Sequence, residues 1–156
     1  KEKLRRRVVF IAFAAEERGL LGSNHYVEHP LSPIENTIAM LNLDMVGRLR
    51  DDKLTVGGSG TAARFNGLLD RLNQSHGFQL TQRPGGYGPS DHASFYAEKV
   101  PVMHFYTGVH QDVHRTTDDF DKLNVPGMER VAALVAETAV ALADGEARPE
   151  YVSVTP

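Results

Sequence analysis

The chain has no cysteine. That excludes disulfide frameworks, zinc–thiolate sites, iron–sulfur clusters and thiol nucleophiles together, and it leaves the redox compartment open. Tryptophan is also absent. With no thiolate available, any catalytic metal must be held by His, Asp and Glu. Neither sign of charge dominates: 17 Lys and Arg against 20 Asp and Glu leave a net charge of −3. No global field therefore draws the protein to nucleic acid or anionic lipid, and neither is expected as a partner. No stretch approaches the ~18 apolar residues of a membrane span. No G-x-S-x-G elbow is present, which argues against serine hydrolase chemistry. What remains is 156 residues, 41% of them hydrophobic, enough for the core of one domain and too many for a disordered chain.

Hydrophobic patterning predicts alternating strands and helices. Val8–Ala15 (VVFIAFAA) is a continuous apolar run bounded by charge, which reads as a strand buried on both faces. With Lys1–Arg7 ahead of it, the same run imitates a secretory signal, but it is short and stops at two glutamates, and the strand reading is preferred. The first residue is Lys rather than Met, which suggests a piece of something longer. Gly19–His29 is predicted helical and Thr37–Met45 a second buried strand, with Leu54–Val56 a short strand after it. Thr61–Gln74 is predicted helical with Phe65, Leu68, Leu69 and Leu72 on one face, and Phe78–Thr81 is a candidate for a further strand. Asp91–Lys99 is a short helix capped by Ser90, and Val100–Tyr106 is a core strand. Val109–Asn124 is irregular. Val125–Asp144 is the clearest helix, with Pro126 at its start, Val131, Leu134, Val135, Val140 and Leu142 inside and Gly145 beyond its end. The expected fold is a three-layer αβα sandwich around a mixed, mostly parallel sheet, spanning residues 1–145, with 146–156 as a C-terminal tail.

In open α/β sheets ligands bind beyond the carboxyl ends of strands. The first predicted strand ends in Glu16-Glu17, the second in Asp44, and the third core strand leads toward His110 and His114. Three strand ends thus carry carboxylate or imidazole to one edge, a donor set that suits zinc, manganese or similar ions. Adjacent carboxylates at a buried strand end repel, and one of them ionises with difficulty unless a cation is near. One reading makes one glutamate a metal ligand and its neighbour the general base toward the attacking water. The blander reading places both at a helix N-terminus, where the dipole favours acidic residues.

Four segments then carry a resemblance. Glu16-Glu17-Arg18-Gly19-Leu20-Leu21-Gly22-Ser23, Asn42-Leu43-Asp44-Met45, the Ser90-Asp91-His92-Ala93-Ser94-Phe95 loop with Gly86–Pro89 ahead of it, and His114-Arg115-Thr116-Thr117-Asp118 resemble, in order, the motifs of the co-catalytic zinc aminopeptidases, metallopeptidase family twenty-eight. The resemblance implies a zinc-dependent exopeptidase that hydrolyses the N-terminal bond of a peptide with a free N-terminus. It implies that Glu16 is the general base, that Glu17 and His114 bind one zinc and that Asp44 binds the other. Tyr87 falls where some members place a tyrosine that donates to the tetrahedral intermediate. Asp91, His92 and Asp118 would order the loops around the metals; Met45 and His110 would shape the pocket.

The departures are equally informative. The family's first H-x-D metal segment and its bridging aspartate lie upstream of the E-E motif, where this chain has 15 residues with no His and no Asp. The chain therefore resembles the C-terminal half to two-thirds of the family's catalytic domain. Two zincs belong to the complete site; one or none is expected here. Uncovered sheet surface would be hidden by dimerisation, strand exchange or a rearranged first segment. Two rivals stand beside peptidase activity: an inert fragment or non-catalytic binding relative, and glutaminyl cyclase-type acyl transfer on the same scaffold. A secreted or envelope location is weakly favoured by the resemblance. The remaining histidines read blandly: His25 and His29 as surface residues, His76 as a helix-end residue and His104 as a satisfied core histidine.

Overall fold

The computed structural model describes residues 3–154. The outermost residues of the expected basic lead-in and C-terminal tail, 1–2 and 155–156, lie outside the described residues. Among the described residues four strands form: β1 (Met40–Leu43), β2 (Lys53–Gly57), β3 (Gln79–Arg83) and β4 (Val102–Tyr106). They form one sheet in the order β1-β4-β2-β3, with β1 and β4 parallel, β2 and β3 parallel, and β2 antiparallel to β4. The antiparallel junction lies in the middle of the sheet rather than at an edge.

Among the described residues four α-helices flank it: α1 (Leu21–Glu28), α2 (Phe65–His76), α3 (His92–Ala97) and α4 (Val125–Asp144). The span of α4 is the predicted one, and the Asn124 side chain caps it by accepting from the Gly127 N–H at 3.0 Å. Side chains alternate across β4: Met103 and Phe105 join Leu54, Val56, Phe65, Leu69, Val131 and Leu134 on the α2/α4 face. Val102 faces the other way, into a second cluster with Phe95, Tyr96 and Val100 that Phe13 and Tyr26 border. The expected three-layer α/β architecture with a mixed, mostly parallel sheet is therefore present. Among the described residues no helix is long and apolar enough to cross a membrane.

Three local expectations fail. Val8–Ala15 is not a strand: Phe10 is 93% exposed, and Val8, Val9 and Ile11 are exposed with it. A strand needs a neighbour for its N–H and C=O groups, and among the described residues none pairs with this run. Apolar composition alone did not bury it. Ser90 does not cap α3: the N-cap position falls on Asp91, whose side chain makes no capping bond, and the Ser90 hydroxyl accepts from the Asn42 amide at 2.7 Å. Val140 is exposed, on the outer face of α4, while Val131, Leu134 and Val135 are buried. The C-terminal residues pack onto the body: Tyr151 bridges to Ala62, and the Val154 N–H donates to the Tyr96 hydroxyl at 2.8 Å.

Candidate active site

Parallel pairing sets the site. Leu43 of β1 lies beside Phe105 of β4, so both strands end at one edge, and the Asp44 N–H donates to Phe105 O at 3.2 Å. Asp44 follows β1 directly, and β4 leads into the loop that carries His110 and His114. Glu16 and Glu17 come to the same edge by another route: with Arg18 they form a single 3₁₀ turn, not the end of a strand. Gly22 of α1 fixes that turn, its N–H donating to Ala14 O at 3.0 Å.

Glu17 and His114 meet across 97 residues of sequence, Oε1 to Nε2, at 2.8 Å, with both side chains about 70% exposed. Glu16 feels the charges of this pair and of Asp44 together. Partial burial raises its pKa above the usual carboxylate range, the Asp44, Glu17 and Asp91 charges raise it further, and His114 opposes them. The structure thus gathers Glu16, Glu17, Asp44, Asp91 and His114 into one electrostatic neighbourhood.

Backbone strain gathers there as well. Ala15, Met45 and His114 hold positive φ of 56°, 52° and 57°, a region that non-glycine residues rarely occupy. The three are the residue before Glu16-Glu17, the residue after Asp44, and His114 itself. Such conformations persist only where surrounding contacts over-determine them.

Behind the edge, His92 and His104 stack with centroids 4.4 Å apart. Burial, and then the neighbouring His104, push the His92 pKa down to about 3. Burial lowers His104 too, against the pull of Asp44. His104 is not the satisfied core histidine expected, since its Nε2 has no hydrogen-bond partner; neither has His92 Nδ1 nor Asp91 Oδ1. Tyr87 is 65% exposed and packs edge-on against Tyr96, with centroids 4.7 Å apart. His110 is nearly buried, its Nε2 3.8 Å from Asp118 Oδ2. His25 and His29 stack on each other at the surface, and His76 pairs with Glu137 at 3.1 Å.

Two contributors carried no signal strong enough to single them out in the sequence. Asn42, within the N-x-D-M segment, ties β1 to the loop bearing Asp91 through Ser90. Arg48 reaches the loop around His114 through Asp112 and Asp118. Both act across long sequence separations, which local patterns do not record.

The donor types suit zinc, since carboxylate oxygen and imidazole nitrogen are both ordinary zinc ligands. Two tetrahedral zinc ligands at about 2.1 Å each lie roughly 3.4 Å apart, so the Glu17–His114 pair at 2.8 Å would open by about half an ångström to share one ion. Among the described residues, however, no group of three or more His, Asp and Glu side chains is arranged to hold a metal ion. The chain offers a pair and a nearby third carboxylate.

The model of peptidase family M28 matches residues 1–139. The chain belongs to peptidase family M28. Aminopeptidase YwaD of Bacillus subtilis is 28% identical over 94% of this chain and 34% of its own length. The LapA aminopeptidase of Legionella pneumophila superposes with a TM-score of 0.81 at 29% identity, covering 94% of this chain and 42% of that one. BSAP, a zinc aminopeptidase from Bacillus subtilis, gives a TM-score of 0.72 at 26% identity, covering 92% and 38%. The family member described here thus spans about a third to two-fifths of the length of these relatives. A glutaminyl cyclase from Porphyromonas gingivalis shares the fold, with a TM-score of 0.62 at 18% identity.

Proposed function

We propose that this M28 chain carries part of the catalytic centre of a zinc aminopeptidase that removes the N-terminal residue of peptides with a free amino terminus. The observation that carries the reading is the Glu17–His114 pair at 2.8 Å beside Glu16 and Asp44. Glu17 and His114 would hold one zinc and Asp44 would contribute to a second. When bound, the metal supplies Lewis-acid polarisation of the scissile carbonyl.

The remaining chemistry falls to the chain's own residues. Glu16 takes a proton from the attacking water on its carboxylate and returns it to the leaving amine. Its raised pKa suits both halves of that transfer, because a base closer to neutrality also serves as an acid. Tyr87 would serve as oxyanion donor by turning from Tyr96 toward the substrate. Asp91 and His92 would order the loop that borders Glu16, with Asp118 bracing the His114 loop. Met45 and His110 would line the substrate pocket. Sequence identity to aminopeptidases of 28–29% favours hydrolysis over acyl transfer, for which the likeness reaches only the fold.

Elemental analysis after zinc dialysis, beside Glu17→Ala and His114→Ala, tests the metal half of this reading. Zinc that both substitutions remove supports it; no zinc above the substituted chains defeats it for the chain on its own. An aminoacyl anilide assayed against an N-terminal glutaminyl peptide separates peptidase from cyclase.

A further inference from the structure

The turn after Asp44 runs alongside the loop that carries His114. The Thr107 hydroxyl donates to Met45 O. The Arg50 guanidinium donates to Val109 O at 2.8 Å. At the far end of the loop, the Asn124 N–H donates to Gly47 O at 2.9 Å, and its side-chain amide to Leu49 O at 2.9 Å. Residues 45–50 thus bracket the loop at both ends.

Arg48 crosses the middle. Its Nη2 lies 3.5 Å from Asp112 Oδ2 and is hydrogen-bonded to Asp118 Oδ1, and its side chain is only 14% exposed. Asp112 keeps its other oxygen for the Thr117 hydroxyl and the Lys122 ammonium, each at 2.7 Å. One guanidinium therefore grips the loop on both sides of His114. Between the two grips His114 holds a φ of 57°, a conformation that needs external restraint.

We propose that Arg48 is a positioning residue that couples the Asp44 turn to the 109–122 loop and thereby holds His114 against Glu17. Its functional meaning rests on the zinc aminopeptidase reading; the coupling itself does not. A largely buried cation between two carboxylates makes charge-assisted bonds, both here from Nη2, and the planar guanidinium holds that nitrogen in place more rigidly than a lysine ammonium is held. Removing it leaves Asp112 to Thr117 and Lys122, releases Asp118, and lets the backbone of His114 relax.

The test uses this chain with ¹⁵N-labelled histidine at a fixed pH of about 7.5, with His114→Ala assigning the resonance. Glu17→Gln marks the His114 ring signal once the pair is lost. Arg48→Met is expected to move the His114 Nε2 signal to that position while amide signals of the sheet stay in place. Arg48→Lys should return it part-way. Arg130→Met, which removes a pair with Asp52, should leave it unchanged. Zinc affinity, read by chelator competition, should fall about 10–100-fold in Arg48→Met. A His114 signal that stays at its wild-type position in Arg48→Met overturns the proposal, as does an equal shift in Arg130→Met. Should Arg48→Met fail to fold, Asp118→Asn replaces it, with the same shift expected and no shift overturning. If the wild-type chain binds no zinc but the ring signal moves as expected, the metal reading falls for the chain on its own and the Arg48 assignment stands.

Discussion

Gly22 and Ala14 are in backbone contact: a Cβ added to Gly22 would lie 2.5 Å from Ala14 O and 2.9 Å from Ala14 N. The hydrogen bond from the Gly22 N–H to Ala14 O needs this approach. The glycine therefore sets where the first turn of α1 rests on the segment that carries Glu16 and Glu17, a mechanical reason for its place in the G-L-L-G-S run.

Gly22→Ala should consequently destabilise the chain by about 1–3 kcal/mol, the range for forced overpacking, and displace the Glu16–Glu17 turn. Urea denaturation reads the first effect, and loss of the His114 ring signature reads the second. An unchanged midpoint with an unchanged His114 signal would show that the turn is set elsewhere.

Asn42→Ala removes the donor that reaches Ser90 inside the fold and leaves that hydroxyl without its partner. The expected loss is about 1–3 kcal/mol, the cost of an unsatisfied buried polar group. A midpoint within error of wild type would sink this account of Asn42.

Acid should weaken the fold well above the carboxylate range. His92 is held neutral down to about pH 3 in the folded chain, against 6.5 as the ordinary value. Below pH 6.5 the unfolded chain binds a proton that the folded one refuses. This contribution to stability is therefore complete above about pH 6.5 and declines as pH falls toward 3, by up to about 1.4 kcal/mol per pH unit for one proton. Denaturation midpoints measured from pH 7.5 to 5 should fall for wild type and fall less steeply for His92→Gln. Equal slopes in the two proteins would contradict the burial argument.

A second, lower acid transition belongs to Asp112. Hydrogen bonds from Lys122 and Thr117, aided by the charges of Lys122 and Arg48, hold its carboxyl down at about 2. Its contribution is present above the ordinary value of 3.8 and is lost as pH falls through about 2. Asp112→Asn should abolish it and expose the loop at neutral pH, where trypsin would cut after Arg115. Trypsin resistance equal to wild type would defeat this reading.

On the proposed aminopeptidase reading, Glu16→Gln in an active preparation is expected to lower kcat by roughly 10²–10⁴-fold, the usual worth of a positioned general base, with zinc content unchanged. A simultaneous loss of zinc would make Glu16 a ligand instead.

Much of this protein was legible in one dimension. α4 reads directly from its apolar period, its proline and its flanking glycine, because helical spacing and capping are local. Asp44 at the end of β1 was legible for a similar reason: a charge that terminates an apolar run marks a strand end. The four motif segments identified the family because their residue types and order survive without coordinates. Val8–Ala15 was misread because burial is conferred by neighbours, and no periodicity within eight residues reports whether a neighbour is there. Ser90 was misread because the N-cap falls one residue later, on Asp91, while the Ser90 hydroxyl meets Asn42 of β1.

Residue chemistry and local spacing thus determined which side chains are available and at which ends of which elements most of them sit. The resemblance already assigned Glu17 and His114 to one zinc; only the tertiary structure decided that Arg48 grips both sides of the loop and that Tyr87 rests on Tyr96. Those relations depend on strand order and on packing across tens of residues, where the distance between two side chains is set by everything folded between them.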